Sequence, residues 1–150
     1  KRWTCCSWLG RDHDGVMAVQ LQRRVGNDHD GAVYKIGEPD VTRTFIHPDG
    51  GVGIIMDIEG DCRGRSNAQA CYLAVSVEFR AMPDGVNKGF VVFLDGDLKP
   101  IGRLGGDGFT FHDLMTMPDG TLAAVGSRIS DGTQKGIFYH WKNPPYGTAF

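Results

Sequence analysis

The chain has 150 residues, 41% of them hydrophobic and 23% charged, with a formal net charge of −2. That is the length of one domain, sufficient to bury roughly 68–70% of the surface the unfolded chain exposes, and the scattered basic residues argue against a general nucleic-acid binder. Glycine is in excess at 22 residues, about 15% against a usual ~7%, which points to many tight turns.

In chain order, Trp3, Cys5, Cys6 and Trp8 fall on a short strand, followed by turn signals at Asp14-Gly15 and Asp30-Gly31. Strand-like segments at 41–46 and 53–58 flank Pro48-Asp49-Gly50. Between residues 71 and 82, Cys71, Leu73, Val75, Val77, Phe79 and Ala81 share one face, while Tyr72, Ser76, Glu78 and Arg80 share the other. That period of two predicts a half-buried strand. Pro83-Asp84-Gly85 follows, then residues 90–94, apolar on both faces as in a central strand, and a turn at Asp95-Gly96. The last quarter reads strand 109–115, turn Pro118-Asp119-Gly120, strand 122–125, turn Ser130-Asp131-Gly132, strand 137–141. No window of helical length has i, i+3, i+4 spacing. The run 90–94, the longest clearly apolar one, is far short of the ~18 residues of a membrane span.

The Asp-Gly pairs at 14, 49, 84 and 119 are 35 residues apart, three of them preceded by proline. Proline presets the first turn dihedral, aspartate bonds locally and glycine supplies a positive φ. The expectation is one all-β domain over residues 1–150, built from four ~35-residue antiparallel hairpin repeats as a small or incomplete β-propeller-like fold. A sandwich of hairpins is the alternative. The fourth unit resembles a WD40 repeat in His112, Pro118-Asp119-Gly120, the small-residue stretch from Leu122 to Ser127, Asp131 and Trp141. The resemblance implies a histidine, His112, bonded to the neighbouring turn.

Cys5, Cys6, Cys62 and Cys71 allow three two-disulfide connectivities. Cys62 and Cys71 flank the polar loop Arg63, Gly64, Arg65, Ser66, Asn67, Ala68, Gln69 and Ala70, so a local clasp is sterically easy. It would contribute roughly 2–3 kcal/mol and favours an oxidising compartment, a periplasm or the exterior, for a chain whose leader has been removed. No metal or other cofactor is expected. In Asp12-His13-Asp14-Gly15 and Asp28-His29-Asp30-Gly31, Gly10 and Gly26 stand where a calcium loop needs an oxygen ligand, and the histidines lack zinc spacing. No nucleophile elbow, phosphate loop or dinucleotide fingerprint occurs, so a non-enzymatic role is expected. His112 is the best single candidate for the contrary.

Two loops suit recognition: the clasped one, Arg63 to Ala68, and the hairpin end with Ser127, Arg128, Ser130 and Asp131. The stretch Trp3-Thr4-Cys5-Cys6-Ser7-Trp8, the clasped segment 61–71 and the Pro-Asp-Gly hairpins together resemble periplasmic immunity proteins of type VI secretion peptidoglycan amidase effectors. That resemblance implies a tight inhibitor that occludes the cleft of a cysteine-histidine amidase, with a protein partner, no nucleic acid and no membrane span. The alternative is a carbohydrate- or cell-surface-binding propeller module stacking ligands on Trp3, Trp8 or Trp141.

Overall fold

A computed structural model of the chain describes residues 3–4, 9–11, 17–25, 28–35, 38–45, 49–61, 72–95, 97–119 and 121–142. Up to Thr44 the description is of backbone, with the side chain of Val33 added. The described residues form strands joined by turns and contain no helix.

All pairing is antiparallel, in three successive sheets. The first comprises β1 (Trp3–Thr4), β2 (Leu9–Arg11), β3 (Met17–Val25), β4 (Asp28–Lys35) and β5 (Glu38–Thr44). Here β1 and β2 both pair with β3, at Arg23–Gln22 and at Val19–Met17, as an interrupted first strand of a meander. The second sheet runs β6 (Val52–Asp61), β7 (Tyr72–Arg80), β8 (Lys88–Leu94), β9 (Pro100–Asp107). The third runs β10 (Phe109–Thr116), β11 (Leu122–Ser130), β12 (Thr133–Trp141).

The second sheet lies between the other two. One face joins Ile55, Ile58, Val75, Val77, Phe79 and Val92 to Val33 of β4 and to Phe45. Its other face joins Ala74, Val91 and Phe93 to Phe111, Leu114, Leu122, Ala124 and Trp141 of the third sheet. Consequently β8 is buried along its whole length, as its doubly apolar sequence requires. The alternation predicted for β7 is present, but the strand is not half-buried: Ser76 and Glu78, on its polar face, are 1% and 4% exposed. A second layer covers that face.

The 35-residue spacing does not set the architecture. Asp49-Gly50 lies between β5 and β6, in different sheets, whereas Asp84-Gly85 joins the second and third strands of its sheet and Asp119 follows the first strand of the next. The repeating unit is instead the sheet, with first strands starting at Trp3, Val52 and Phe109. Asp30-Gly31 is not a turn either. Both residues pair within β4, opposite Arg23 and Gln22. Asp14-Gly15 lies outside the described residues.

Two turns match their sequence signals. Gly85 donates its N–H to the Met82 carbonyl (2.9 Å) at φ 74°, and the Asp84 carboxylate accepts the Val86 N–H (2.9 Å). Asp131 and Gly132 both have positive φ, 52° and 71°, forming the mirror-image two-residue turn that suits strand twist.

Candidate functional site

At one end of the second and third sheets, a cleft of about 320 Å³ opens between the β7–β8 loop and β11, lined by Glu78, Val86, Asn87, Asp107, Thr110 and Ile129. Alternation along β7 turns Glu78 toward the third sheet. Its side chain is 5% exposed, and a carboxylate in such a place needs partners. Arg80 supplies two N–H groups to Oε2, at 2.6 and 3.0 Å. The Thr110 hydroxyl and the Asn87 amide donate to Oε1, at 3.2 and 3.4 Å. Glu78 thus ties together β7, the following loop and β10. Glu78→Gln, which loses the charge and turns an amide toward Arg80, is expected to cost about 1–3 kcal/mol, read from urea unfolding.

At the rim, the Lys88 ammonium donates to Asp84 (2.8 Å) and Asp107 (2.9 Å). These bonds, Asp107's first, hold the lysine well above its usual range, and the same ammonium lowers Asp84. Arg80 thus balances Glu78, while the single Lys88 is shared by two aspartates and leaves one net negative charge at the rim.

Gly108 closes the base of the cleft. Its N–H donates to the Asn87 carbonyl (2.8 Å), and its carbonyl accepts the Ile129 N–H (2.8 Å). At φ 71°, and with the Ile129 carbonyl where a Cβ would project, this position takes only glycine. One backbone unit thereby fixes the β11–β12 hairpin beside the β7–β8 loop.

The hairpin carries the described part of the sequence-predicted site. Arg128 is exposed and lies over the Phe109 ring, 4.8 Å from its centroid. Ser130 and Asp131 are exposed at the turn, where the Ser130 hydroxyl donates to the Asp131 carboxylate (3.3 Å). Ser127 is different: it is buried and accepts the Gln134 amide (3.0 Å), so it braces the hairpin rather than facing outward. Ile129, between them and 54% exposed, faces both solvent and cleft. Arg63, Gly64, Arg65, Ser66, Asn67, Ala68 and the Cys62–Cys71 clasp lie outside the described residues, as do the side chains of Trp3 and Trp8.

The turn-bonding histidine is His140, not His112. His112 is exposed on β10, at the irregularity between Phe111 and Asp113. His140 Nε2 lies 2.6 Å from the Thr121 hydroxyl, which in turn donates to Asp119 (2.6 Å). Thr121's hydroxyl and amide bonds hold the Asp119 carboxyl below its usual range. Because the Thr121 proton goes to Asp119, His140 is the donor. That is the reverse of a histidine activating a nucleophile, so the trio is a staple across the β10–β11 turn. Trp141, one of the proposed stacking residues, is buried and stacks on Tyr139 (5.8 Å, 2° between planes) inside the core. Among the described residues no group of histidines, cysteines and carboxylates is arranged to hold a metal, and no helix is long and apolar enough to cross a membrane.

Compared with protein-family models, curated proteins and solved structures, the chain finds no match, so the geometry carries the functional reading.

Proposed function

We propose that the chain is a non-catalytic binding protein that inhibits a protein partner by occlusion, with the β11–β12 hairpin and the adjoining cleft as its recognition edge. The observation that carries this reading is Ile129, a large aliphatic side chain 54% exposed near the end of a hairpin braced by Gly108 and Ser127. A rigid loop loses little entropy on docking, and an apolar residue flanked by Arg128, Ser130 and Asp131 supplies contact area with a polar surround. Three stacked meanders in sequence support the propeller-like description of the scaffold, since each sheet has the form of a blade.

The narrower form of the proposal rests on the sequence resemblance. The partner is a peptidoglycan amidase of the cysteine-histidine class, the compartment is the periplasm, and the clasped loop at 62–71 takes part. The carbohydrate-binding alternative has lost Trp141 to the core.

The test is a pull-down with the intact chain from periplasmic and secreted proteins of its own organism, read by mass spectrometry. One small hydrolase at one-to-one stoichiometry is expected. Its affinity should fall at least about ten-fold for the pair Arg128→Ala and Ile129→Asp. Capture of glycan fragments alone, or no capture, refutes the proposal; capture that the pair leaves unchanged removes the hairpin from it.

A further inference from the structure

The second and third sheets match strand for strand until the third stops. The irregularity in β6 between Ile55 and Asp57 recurs in β10 between Phe111 and Asp113. From it the registers carry over, β7 onto β11 and β8 onto β12. Lys88-Gly89-Phe90-Val91 thereby takes the place of Lys135-Gly136-Ile137-Phe138. In the second sheet β8 is an inner strand, paired on its far side with β9. Among the described residues the third sheet has no strand in the place of β9.

β12 also has the build of an inner strand. Outer strands escape unwanted pairing through prolines and breaks in register. β5 contains Pro39, and its pairing with β4 shifts between Tyr34 and Lys35. β9 opens on Pro100, and its pairing with β8 shifts between Phe93 and Leu94. β12 has neither device: it contains no proline and pairs with β11 in unbroken register from Thr133 to Trp141. Ser130 and Thr133 flank a two-residue turn and so bond to each other. The N–H and C=O groups of Gln134, Gly136, Phe138 and His140 therefore point away from β11. Among the described residues nothing pairs with that row.

We propose that this edge takes an extended segment of the protein partner as a fourth strand, antiparallel to β12. For the owner of that segment the inference rests on the reading of the β11–β12 hairpin as a recognition edge. β9 shows the chemistry such a strand brings. Asp107 lies opposite Lys88 and accepts its ammonium (2.9 Å), while Leu104 lies opposite Val91 and packs on the core between the sheets. In the matching places Lys135 is exposed, with no carboxylate beside it among the described residues, and Phe138 is 67% exposed. The fitting segment carries an aliphatic residue opposite Phe138 and, three residues toward its C-terminus, a carboxylate opposite Lys135. Backbone hydrogen bonds give such a strand its affinity, and the two side chains fix its direction and register.

The test is selection of random linear peptides, about twelve residues long, on the intact chain, followed by amide exchange read by NMR. The expected enrichment is an aliphatic residue with Asp or Glu three places later. A synthetic copy of the selected peptide should slow exchange at Gly136, Phe138 and His140 at least about ten-fold. Gly136→Pro removes one outward N–H at an edge position that tolerates proline, where a Cβ meets nothing within 4 Å. It should weaken the peptide at least about ten-fold, whereas Gly136→Ala should bind like the parent. Lys135→Glu, an exposed change, should abolish the preference for a carboxylate. No enrichment, enrichment without the carboxylate, or binding indifferent to Gly136→Pro would each overturn the proposal. So would slow exchange of these amides in the chain alone. Slow at every concentration, it would put residues 143–150 of the chain itself on the edge; slow only when concentrated, a second copy. A hydrolase captured through Arg128 and Ile129 with no peptide selected removes this inference and leaves the proposed function. Peptides selected with no hydrolase captured do the reverse.

Discussion

Gly89→Ala is expected to lower stability by about 3 kcal/mol or more, which at this chain length is a fall of roughly 6–12 °C in Tm. Gly89 lies on β8, and a Cβ there would overlap the carbonyl of Phe109 and sit 3.1 Å from the Thr110 nitrogen. The obstacle is backbone, and that backbone has nowhere to go. On its far side Gly126 faces the Thr110 carbonyl just as closely, and the chain entering β10 is held by the two Gly108 hydrogen bonds. A methyl group at Gly89 must therefore push the third sheet off the second and open the core around Val91, Phe93 and Phe111. Gly136→Ala is the control, because a Cβ there meets nothing within 4 Å, and it should change stability by no more than about 0.5 kcal/mol. Equal losses in the two variants, measured by thermal and urea unfolding, would show that the close passage of β10 over β8 is not what holds the sheets together.

The second large effect concerns pH. Asp57 is 3% exposed, and its carboxyl accepts the N–H groups of Ile58 (2.9 Å) and, across the sheet interface, Leu114 (2.7 Å). Burial dominates and pushes it up to about 7; the two N–H groups oppose this, and the neighbouring Asp113 adds to the rise. An acid whose folded pKa lies above its unfolded value of 3.8 keeps a proton that the unfolded chain gives up as pH rises. Its contribution to stability is thus present below about pH 4, declines as pH climbs toward 7, and is flat beyond. Asp57→Asn, uncharged throughout, removes that slope. Relative to the parent, the variant should gain stability between about pH 4.5 and 7.5, on the order of a few kcal/mol at most. Asp84 and Asp119, both lowered, act with the opposite sign and below that window. Parallel Tm-versus-pH curves for parent and variant would contradict the account.

The strands β6 to β8 and β10 to β12 were legible because alternation and β-branched residues mark half-buried or central strands; β9, with a proline and three glycines, carries no such pattern and was missed. The two-residue turn at Asp131-Gly132 was legible because its backbone demands such residues. How strands divide among sheets was not. Pro-Asp-Gly encodes a reversal of the chain, and the same chemistry serves within a sheet at Asp84 and between sheets at Asp49. Its even spacing therefore suggested a repeat that the pairing does not follow. Asp30-Gly31 sits in a strand for the same reason: a turn-compatible pair does not force a turn. The hairpin end at Ser127–Asp131 was readable as a hairpin end, with Arg128, Ser130 and Asp131 exposed and Ser127 buried, but the cleft beside it was not. Glu78 belongs to the polar side of an alternating strand, and periodicity cannot tell whether that side meets water or another sheet. The exchange of His112 for His140 has a similar origin, because only the pairing of β11 with β12 brings residue 140 to the Asp119 turn.

The middle position of the second sheet makes the three sheets a linear array with nearest-neighbour coupling, in the manner of stacked repeats. Its two interfaces act as separate joints: the first sheet grips the face of Ile55 and Val77, the third grips the face of Ala74 and Phe93. Opening one joint leaves the other formed, while the second sheet cannot come apart without releasing both. Partial unfolding therefore starts at the outer sheets, and the second is the last cooperative block to dissolve.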